Sequence, residues 1–132
     1  MDIKDIHSVN SIYWGYSGWV FLNSIALIYE PSQKEIYYNF FTSLKDILPC
    51  DNCKLHYSTH LHLLNDALEN KNTLLEWLLN IRNKIYIEQN RKQKTLNDIL
   101  NEIFYKNNSF NMYYICYFVV IILIFLIIIK IL

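Results

Sequence analysis

The stretch LPCDNCKLHY, residues 48–57, contains Cys50 and Cys53, two of the three cysteines of the chain, at CxxC spacing. This spacing places the two sulfurs one helical turn apart, close enough for a disulfide when the first cysteine begins a helix. Pro49, directly before Cys50, suits such a helix start. The free N–H groups and the dipole of a first helical turn favour a thiolate over a thiol. The stretch therefore predicts a redox-active cysteine pair at the start of a helix.

Two other interpretations of the same residues stay open. Cys50, Cys53, His56 and His60 are all zinc-ligand types and lie close together in the sequence. On one continuous helix Cys50 and His60 would be separated by about 15 Å along the axis, whereas zinc–ligand bonds are only about 2.0 to 2.3 Å long. A zinc site would therefore need a break in the helix or a partner protein. The second alternative is a pair of buried, unreactive thiols.

The segments on both sides of the cysteines show the 3.6-residue periodicity of amphipathic helices. A thioredoxin-like fold would instead place a strand before the CxxC pair, so it does not fit. Ser32 and Glu35 have the form of a capping box at the start of the second helix, and Pro49 ends that helix. The five predicted helices cover residues 10–29, 32–47 and 50–69, a segment from Asn72 or Thr73 onward, and a segment opened by Thr95 and Asp98.

The composition agrees with an all-α fold. The chain of 132 residues has only two glycines and two prolines, too few for a fold rich in tight turns. Five short helices with brief connections predict a compact helical bundle. Twelve basic and twelve acidic side chains give a net charge of zero, and they are scattered along the chain. This excludes the electrostatic pattern of a nucleic-acid-binding protein.

The carboxyl-terminal segment has a different composition. Residues 113–129 carry no charge, and Lys130 follows them. A helix of about 17 to 21 residues reaches most of the way across a hydrocarbon core of about 30 Å. Tyr113, Tyr114 and Tyr117 suit one membrane interface and Lys130 the other. We therefore predict a helical domain over 1–108 and a transmembrane anchor over 109–132; the alternative is a buried core helix.

The amino-terminal residues MDIKDIHSVN lack the basic region and long apolar run of a secretory signal. We therefore expect the helical domain to face the cytosol, with the carboxyl-terminal segment inserted into a membrane. Disulfides in that compartment are usually transient and catalytic, which favours a redox role for Cys50 and Cys53. An aromatic-rich helical bundle is a plausible flavin pocket to receive the electrons.

Three ordered blocks of the sequence resemble the signatures of the Erv/ALR family of FAD-linked sulfhydryl oxidases. These blocks are WGYSGWVFLNSIAL at 14–27, LPCDNCKLHY at 48–57 and WLLNIRNKIY at 77–86. The resemblance covers roughly residues 12–91 and is greatest to the short members of poxviruses and other large DNA viruses. It implies a four-helix bundle with a short fifth helix that binds FAD, and a homodimer paired through the first two helices.

The resemblance also assigns roles to individual residues. Cys50 would form the mixed disulfide with the substrate, and Cys53 would pass the electrons to the flavin. The chain departs from the family pattern at Asn23, where the family has His, and at Arg82 and Tyr86, where it has His and Asn. The positions that correspond to cofactor contacts of the family are Gly15, Trp19, Asn23, His56, Arg82, Asn83, Tyr86 and Arg91.

The activity implied is the oxidation of thiols to disulfides with transfer of the electrons to dioxygen, which gives hydrogen peroxide. A second, shuttle cysteine pair, present in many relatives, is absent, because the remaining Cys116 is single and lies in the predicted anchor. The substrate is therefore expected to reach Cys50 directly, and we expect a partner protein with its own CxxC pair. We expect His7, His60 and His62 to be surface residues. Rival functions are a tail-anchored helical adaptor and a zinc-binding module.

Overall fold

A computed structural model describes residue 3, residues 6–105 and residues 108–131 of the chain. Every regular element in these ranges is helical, so the predicted all-α class is confirmed. The α-helices are α1 (Ser11–Leu27), α2 (Lys34–Ile47), α3 (Asp51–Ser58), α4 (Leu64–Ala67), α5 (Lys71–Glu88), α6 (Leu96–Phe104) and α7 (Asn108–Ile131), and 3-10 helices cover Pro31–Gln33 and Leu61–Leu63.

The predicted single helix over residues 50–69 is wrong, because α3 ends at Ser58 and the chain turns before it continues as a 3-10 helix and α4. Local hydroxyl groups explain the break. Ser58 Oγ donates to the Leu55 carbonyl oxygen (2.7 Å), and Thr59 Oγ1 donates to that of His56 (2.8 Å). Serine and threonine side chains offer carbonyls a donor that competes with the helical backbone. The helix therefore ends one residue before Thr59.

Of the capping residues predicted at the starts of α2, α5 and α6, only those of α6 are found as predicted. Thr95 and Asp98 open α6, as predicted, and they do so through reciprocal bonds: Thr95 N–H donates to Asp98 Oδ2 (2.8 Å) and Asp98 N–H to Thr95 Oγ1 (3.2 Å). The predicted capping box at Ser32 is wrong, because Pro31 starts a 3-10 turn that contains Ser32 and leads into α2. The start of α5 lies slightly earlier than predicted, with Asn70 and Thr73 forming its capping box.

Residues 1–99 form one compact unit. In this unit α1 packs against α5, α2 against α3 and α4, and α4 against α5. The core contains an aromatic cluster in which Phe41 and Tyr57 each make edge contacts with Trp77. Tyr57 Oη donates to the Phe41 carbonyl oxygen (2.8 Å), and this bond fastens the cysteine-bearing helix α3 to α2.

Residues 100–132 form a second unit, which includes α7. In the part of the chain that the structure describes, no helix combines the length and apolar character needed to cross a membrane. The predicted transmembrane anchor is therefore not supported by the structure. The side chains of Tyr113 and Lys130, which the sequence assigns to the two interfaces, lie outside those described.

Candidate active site

The two cysteines at the start of α3 are joined by a disulfide, with their Cα atoms 5.1 Å apart. Cys50 is the N-cap residue of α3 in extended conformation, and its Sγ accepts a hydrogen bond from the Cys53 backbone N–H (3.2 Å). The predicted position of the pair at a helix start is thus confirmed. Both residues are half-buried. A sulfur that leaves this disulfide as a thiolate is stabilised by the first-turn N–H groups.

The amino-terminal segment is hydrogen-bonded to the residue that precedes this pair. Val9 N–H donates to the Pro49 carbonyl oxygen (2.6 Å), and Ser8 Oγ donates to the same oxygen (3.3 Å). Trp14 Nε1 in turn donates to the Val9 carbonyl oxygen (3.1 Å), which ties the segment to α1. These three bonds fix the peptide group that leads into Cys50. The sequence gives no signal for the two bonds to Pro49, since their partners are about 40 residues apart.

Two histidines follow the cysteines. His56 Nε2 lies 3.4 Å from Glu88 Oε1 at the end of α5, and the His56 and His60 rings are 5.2 Å apart. His60 is buried, so its predicted surface position is wrong. The turn after α3 carries it inward, where its carbonyl oxygen accepts from Trp77 Nε1 (3.2 Å). Burial, reinforced mainly by the nearby positive charge of Lys84, lowers the pKa of His60.

Four of the predicted cofactor residues form a continuous set of contacts on α1 and α5 and in the turn after α5. The guanidinium carbon of Arg82 lies 5.9 Å from the Trp19 ring centre and 5.3 Å from that of Tyr86. Arg82 also donates through Nη2 (3.0 Å) and Nε (3.3 Å) to Tyr86 Oη, and it is almost completely buried. The guanidinium carbon of Arg91 lies 4.0 Å from the same Tyr86 ring. The set therefore combines two aromatic rings with two cationic groups.

The site contains two buried polar atoms that need a hydrogen-bond partner. Asn23 Nδ2 donates to the Trp19 carbonyl oxygen (2.7 Å), but Asn23 Oδ1 accepts no hydrogen bond from any described residue. His56 Nδ1 is likewise buried without a partner among them. Buried polar atoms are rarely left in this state, because each costs about 1 to 3 kcal/mol. Together with the rings and guanidinium groups, they suit a flat aromatic ligand that has donors, acceptors and negative charge.

Two predicted cofactor residues are placed differently. Asn83 uses both ends of its amide on Lys94: Nδ2 donates to the Lys94 carbonyl oxygen and Oδ1 accepts from the Lys94 N–H, both at 2.8 Å. Gly15 lies in α1, and a Cβ atom built on it would meet only Ser11 Cβ, at an ordinary 3.7 Å, among the described atoms. No neighbour in this chain therefore requires a glycine at position 15.

The zinc interpretation finds no ligand set. Within the described ranges no group of three or more histidine, cysteine and acidic side chains is arranged to hold a metal ion. The helix break that a zinc site would need does occur after Ser58. However, Cys50 and Cys53 bind each other, and His56 faces Glu88.

Comparison with known proteins places these features in a family. Residues 16–105 match the Erv1 / Alr family. The chain is also 30% identical over 114 residues to the probable FAD-linked sulfhydryl oxidase of Acanthamoeba polyphaga mimivirus, and the alignment covers 77% of this chain and 80% of the relative. The family match includes both cysteines and every predicted cofactor residue except Gly15.

Proposed function

This chain belongs to the Erv1 / Alr family, and from that membership we infer that it is an FAD-linked sulfhydryl oxidase. Such an enzyme oxidises thiols of a protein substrate to a disulfide and passes the electrons to dioxygen, which becomes hydrogen peroxide. The observation that carries the inference is the Cys50–Cys53 disulfide at the start of α3, within a family match that covers most of the helical unit.

We propose that Cys50 is the cysteine attacked by the substrate. A substrate thiolate would attack Cys50 Sγ, a mixed disulfide would form, and Cys53 would leave as a thiolate. A second substrate thiolate would then attack the substrate sulfur of the mixed disulfide and release Cys50. Two substrate thiols are thereby oxidised and the cysteine pair is reduced. The Cys53 N–H that contacts Cys50 Sγ (3.2 Å) would stabilise the Cys50 thiolate as it leaves.

The residues around Trp19 and Tyr86 suit the cofactor. Asn23 Oδ1 and His56 Nδ1 would bond to polar atoms of the flavin, because both are buried and have no partner among the described residues. Arg91, which is exposed and lies against the Tyr86 ring, would attract the diphosphate. When bound, FAD accepts two electrons from the reduced cysteine pair and transfers them to dioxygen. The burial of the chain's own rings and amides would keep bulk water away from this site.

We also propose the finer architecture implied by the family. The helices of the first unit would form a four-helix bundle with a short fifth helix, and the domain would extend over 1–108. A homodimer is supported by exposed apolar side chains on α1 and α2, which a second copy would cover. These side chains are Ile12, Tyr13, Phe21 and Ile36. Sedimentation velocity that gives a monomer at micromolar concentration would contradict the dimer.

The membrane attachment is proposed from the sequence. The run over residues 113–129 has no charged side chain, and the described side chains over 114–124 are all exposed. We propose that residues 109–132 anchor the enzyme in a host or virion membrane, with the helical domain on the cytosolic side. Protection of that domain from added protease in intact vesicles would contradict this orientation.

The function is tested by replacing cysteines in the full-length protein. Cys50→Ser should retain the visible absorbance of bound flavin but lose thiol-dependent oxygen consumption and peroxide formation. Cys116→Ser is the matched control, since Cys116 is exposed and outside the helical domain, and its turnover should equal that of the unmodified protein. Undiminished turnover in Cys50→Ser would overturn the role of Cys50, and a purified protein without flavin would overturn the oxidase assignment.

A further inference from the structure

The turn after α5 is held in a defined conformation. Asn90 has a φ of 52°, in the left-handed region, and it reverses the chain directly after the end of α5 at Glu88. The N–H of Arg91 then donates to the Tyr86 carbonyl oxygen (2.7 Å). This bond returns the chain toward the last turn of α5 and places the Arg91 side chain beside the Tyr86 ring.

A second attachment between this turn and α5 lies at Lys94, three residues after Arg91. The loop over residues 91–95 has no regular secondary structure, and the Asn83 amide forms two hydrogen bonds with the Lys94 main chain, each 2.8 Å long. One side chain thus satisfies both the N–H and the C=O of a single residue. Asn83 is half-buried, so water competes poorly for these bonds. The loop is therefore fastened to α5 at both ends, by Asn83 and by the Tyr86 carbonyl oxygen.

We propose that Asn83 is a positioning residue that fastens the loop over residues 89–95 to α5 and thereby holds Arg91 against Tyr86, and that it does not bind the flavin directly. The proposal rests on the proposed function, because it concerns the wall of the flavin site. Both ends of the Asn83 amide are already used by Lys94, whereas Asn23 Oδ1 and His56 Nδ1 are not used by any described residue.

The first test is limited digestion of the flavin-loaded protein with trypsin, which cuts after Arg91, Lys92 and Lys94 in this loop. Asn83→Ala removes both bonds to Lys94, so cleavage in the loop should be about tenfold faster, as expected for two lost hydrogen bonds. Asn80→Ala, an exposed position one turn earlier on α5, is the matched control and should be cleaved at the original rate. Equal cleavage rates for the Asn83→Ala and unmodified proteins would overturn the proposal.

The second test separates positioning from direct binding by flavin affinity, measured from flavin fluorescence. Asn83→Ala should weaken FAD binding in the unmodified background but have little further effect in an Arg91→Ala background, because the loop then has no guanidinium to position. An equal loss of affinity in both backgrounds would overturn the proposal in favour of a direct contact. Asn83→Asp loses the donor to the Lys94 carbonyl oxygen but can still accept from the Lys94 N–H. It should therefore weaken FAD binding in the same direction as Asn83→Ala, and it serves if that variant does not fold.

Failure of the positioning role of Asn83 can be distinguished from failure of the proposed oxidase function. If no form of the protein retains flavin, the oxidase assignment fails, but the same trypsin digestion of the flavin-free protein still measures whether Asn83 fastens the loop. If flavin is retained and the Asn83 variants change neither cleavage nor affinity, the oxidase assignment stands and the positioning role is refuted.

Discussion

Replacement of Asn23 by leucine should change flavin binding and protein stability in opposite directions. Asn23 is almost completely buried, and its Oδ1 has no hydrogen-bond partner among the described residues. Leucine has a similar branched shape but no polar atom. The bond lost from Asn23 Nδ2 to the Trp19 carbonyl oxygen leaves little cost, because that carbonyl lies inside α1 and retains its helical hydrogen bond.

The expected changes in stability and flavin affinity follow from the missing hydrogen-bond partner of Asn23 Oδ1. An unsatisfied buried acceptor costs about 1 to 3 kcal/mol, so removing it should raise the free energy of unfolding of the flavin-free protein by about 1 to 2 kcal/mol, once the larger volume of leucine is accommodated. In the flavin-bound protein the same oxygen would accept a bond from the ligand. Its loss should weaken flavin affinity by about two- to tenfold.

Two measurements on the Asn23→Leu protein test this prediction. Urea denaturation of the flavin-free protein gives the stability change, and a fluorescence titration gives the flavin dissociation constant. Ser24→Ala is a suitable control, since the Ser24 hydroxyl donates to the Val20 carbonyl oxygen within α1 (2.7 Å) and should alter neither quantity by more than about 0.5 kcal/mol. A less stable flavin-free Asn23→Leu protein, or one with unchanged flavin affinity, would refute the reasoning.

Two further predictions concern stability. The buried His60 has a lowered pKa, so below about pH 6.5 the unfolded chain binds a proton that the native state does not, and stability should fall as the pH decreases. His60→Phe should flatten this dependence in urea denaturation between pH 7 and pH 5, and an unchanged pH dependence would contradict the role of His60. Tyr29→Phe should lower the free energy of unfolding by about 1 to 3 kcal/mol. The reason is that Tyr29 Oη donates to the Leu68 carbonyl oxygen (2.8 Å) at the end of α4, and this oxygen has no other donor among the described residues. Tyr57→Phe should cost only about 1 kcal/mol, because its acceptor carbonyl lies within α2; a larger loss for Tyr57→Phe would contradict this ranking.

Local patterns in the sequence were sufficient for the helical class and for the position of the redox pair. The CxxC spacing after Pro49 predicts Cys50 at the start of a helix, and the structure has it as the N-cap residue of α3. Apolar periodicity places α1 and α2 within a few residues of their ends. The helix break after Ser58 was not predictable from periodicity, because apolar residues continue at helical spacing while hydroxyl groups compete for the backbone carbonyls.

Contacts between distant residues account for most of what the sequence did not reveal. His60 resembles any surface histidine until the turn after α3 places it in the core. Glu88 approaches His56 from another helix, and neither residue carries a pattern that indicates the pair. Asn83 was assigned to the cofactor through the family resemblance. Its two bonds with Lys94 depend on the path of the loop, which the sequence does not encode as a recognisable motif.

The bonds from Ser8 and Val9 to the Pro49 carbonyl oxygen affect how the protein should be handled in the laboratory. An affinity tag joined just ahead of Ser8 would emerge close to the peptide group that leads into Cys50, although Cys50 lies about forty positions away in the chain. A tag containing histidines or cysteines would bring metal ions or competing thiols to that spot. Enzymatic assays should therefore be run only after the tag has been cleaved off, or with the tag at a site remote from α3.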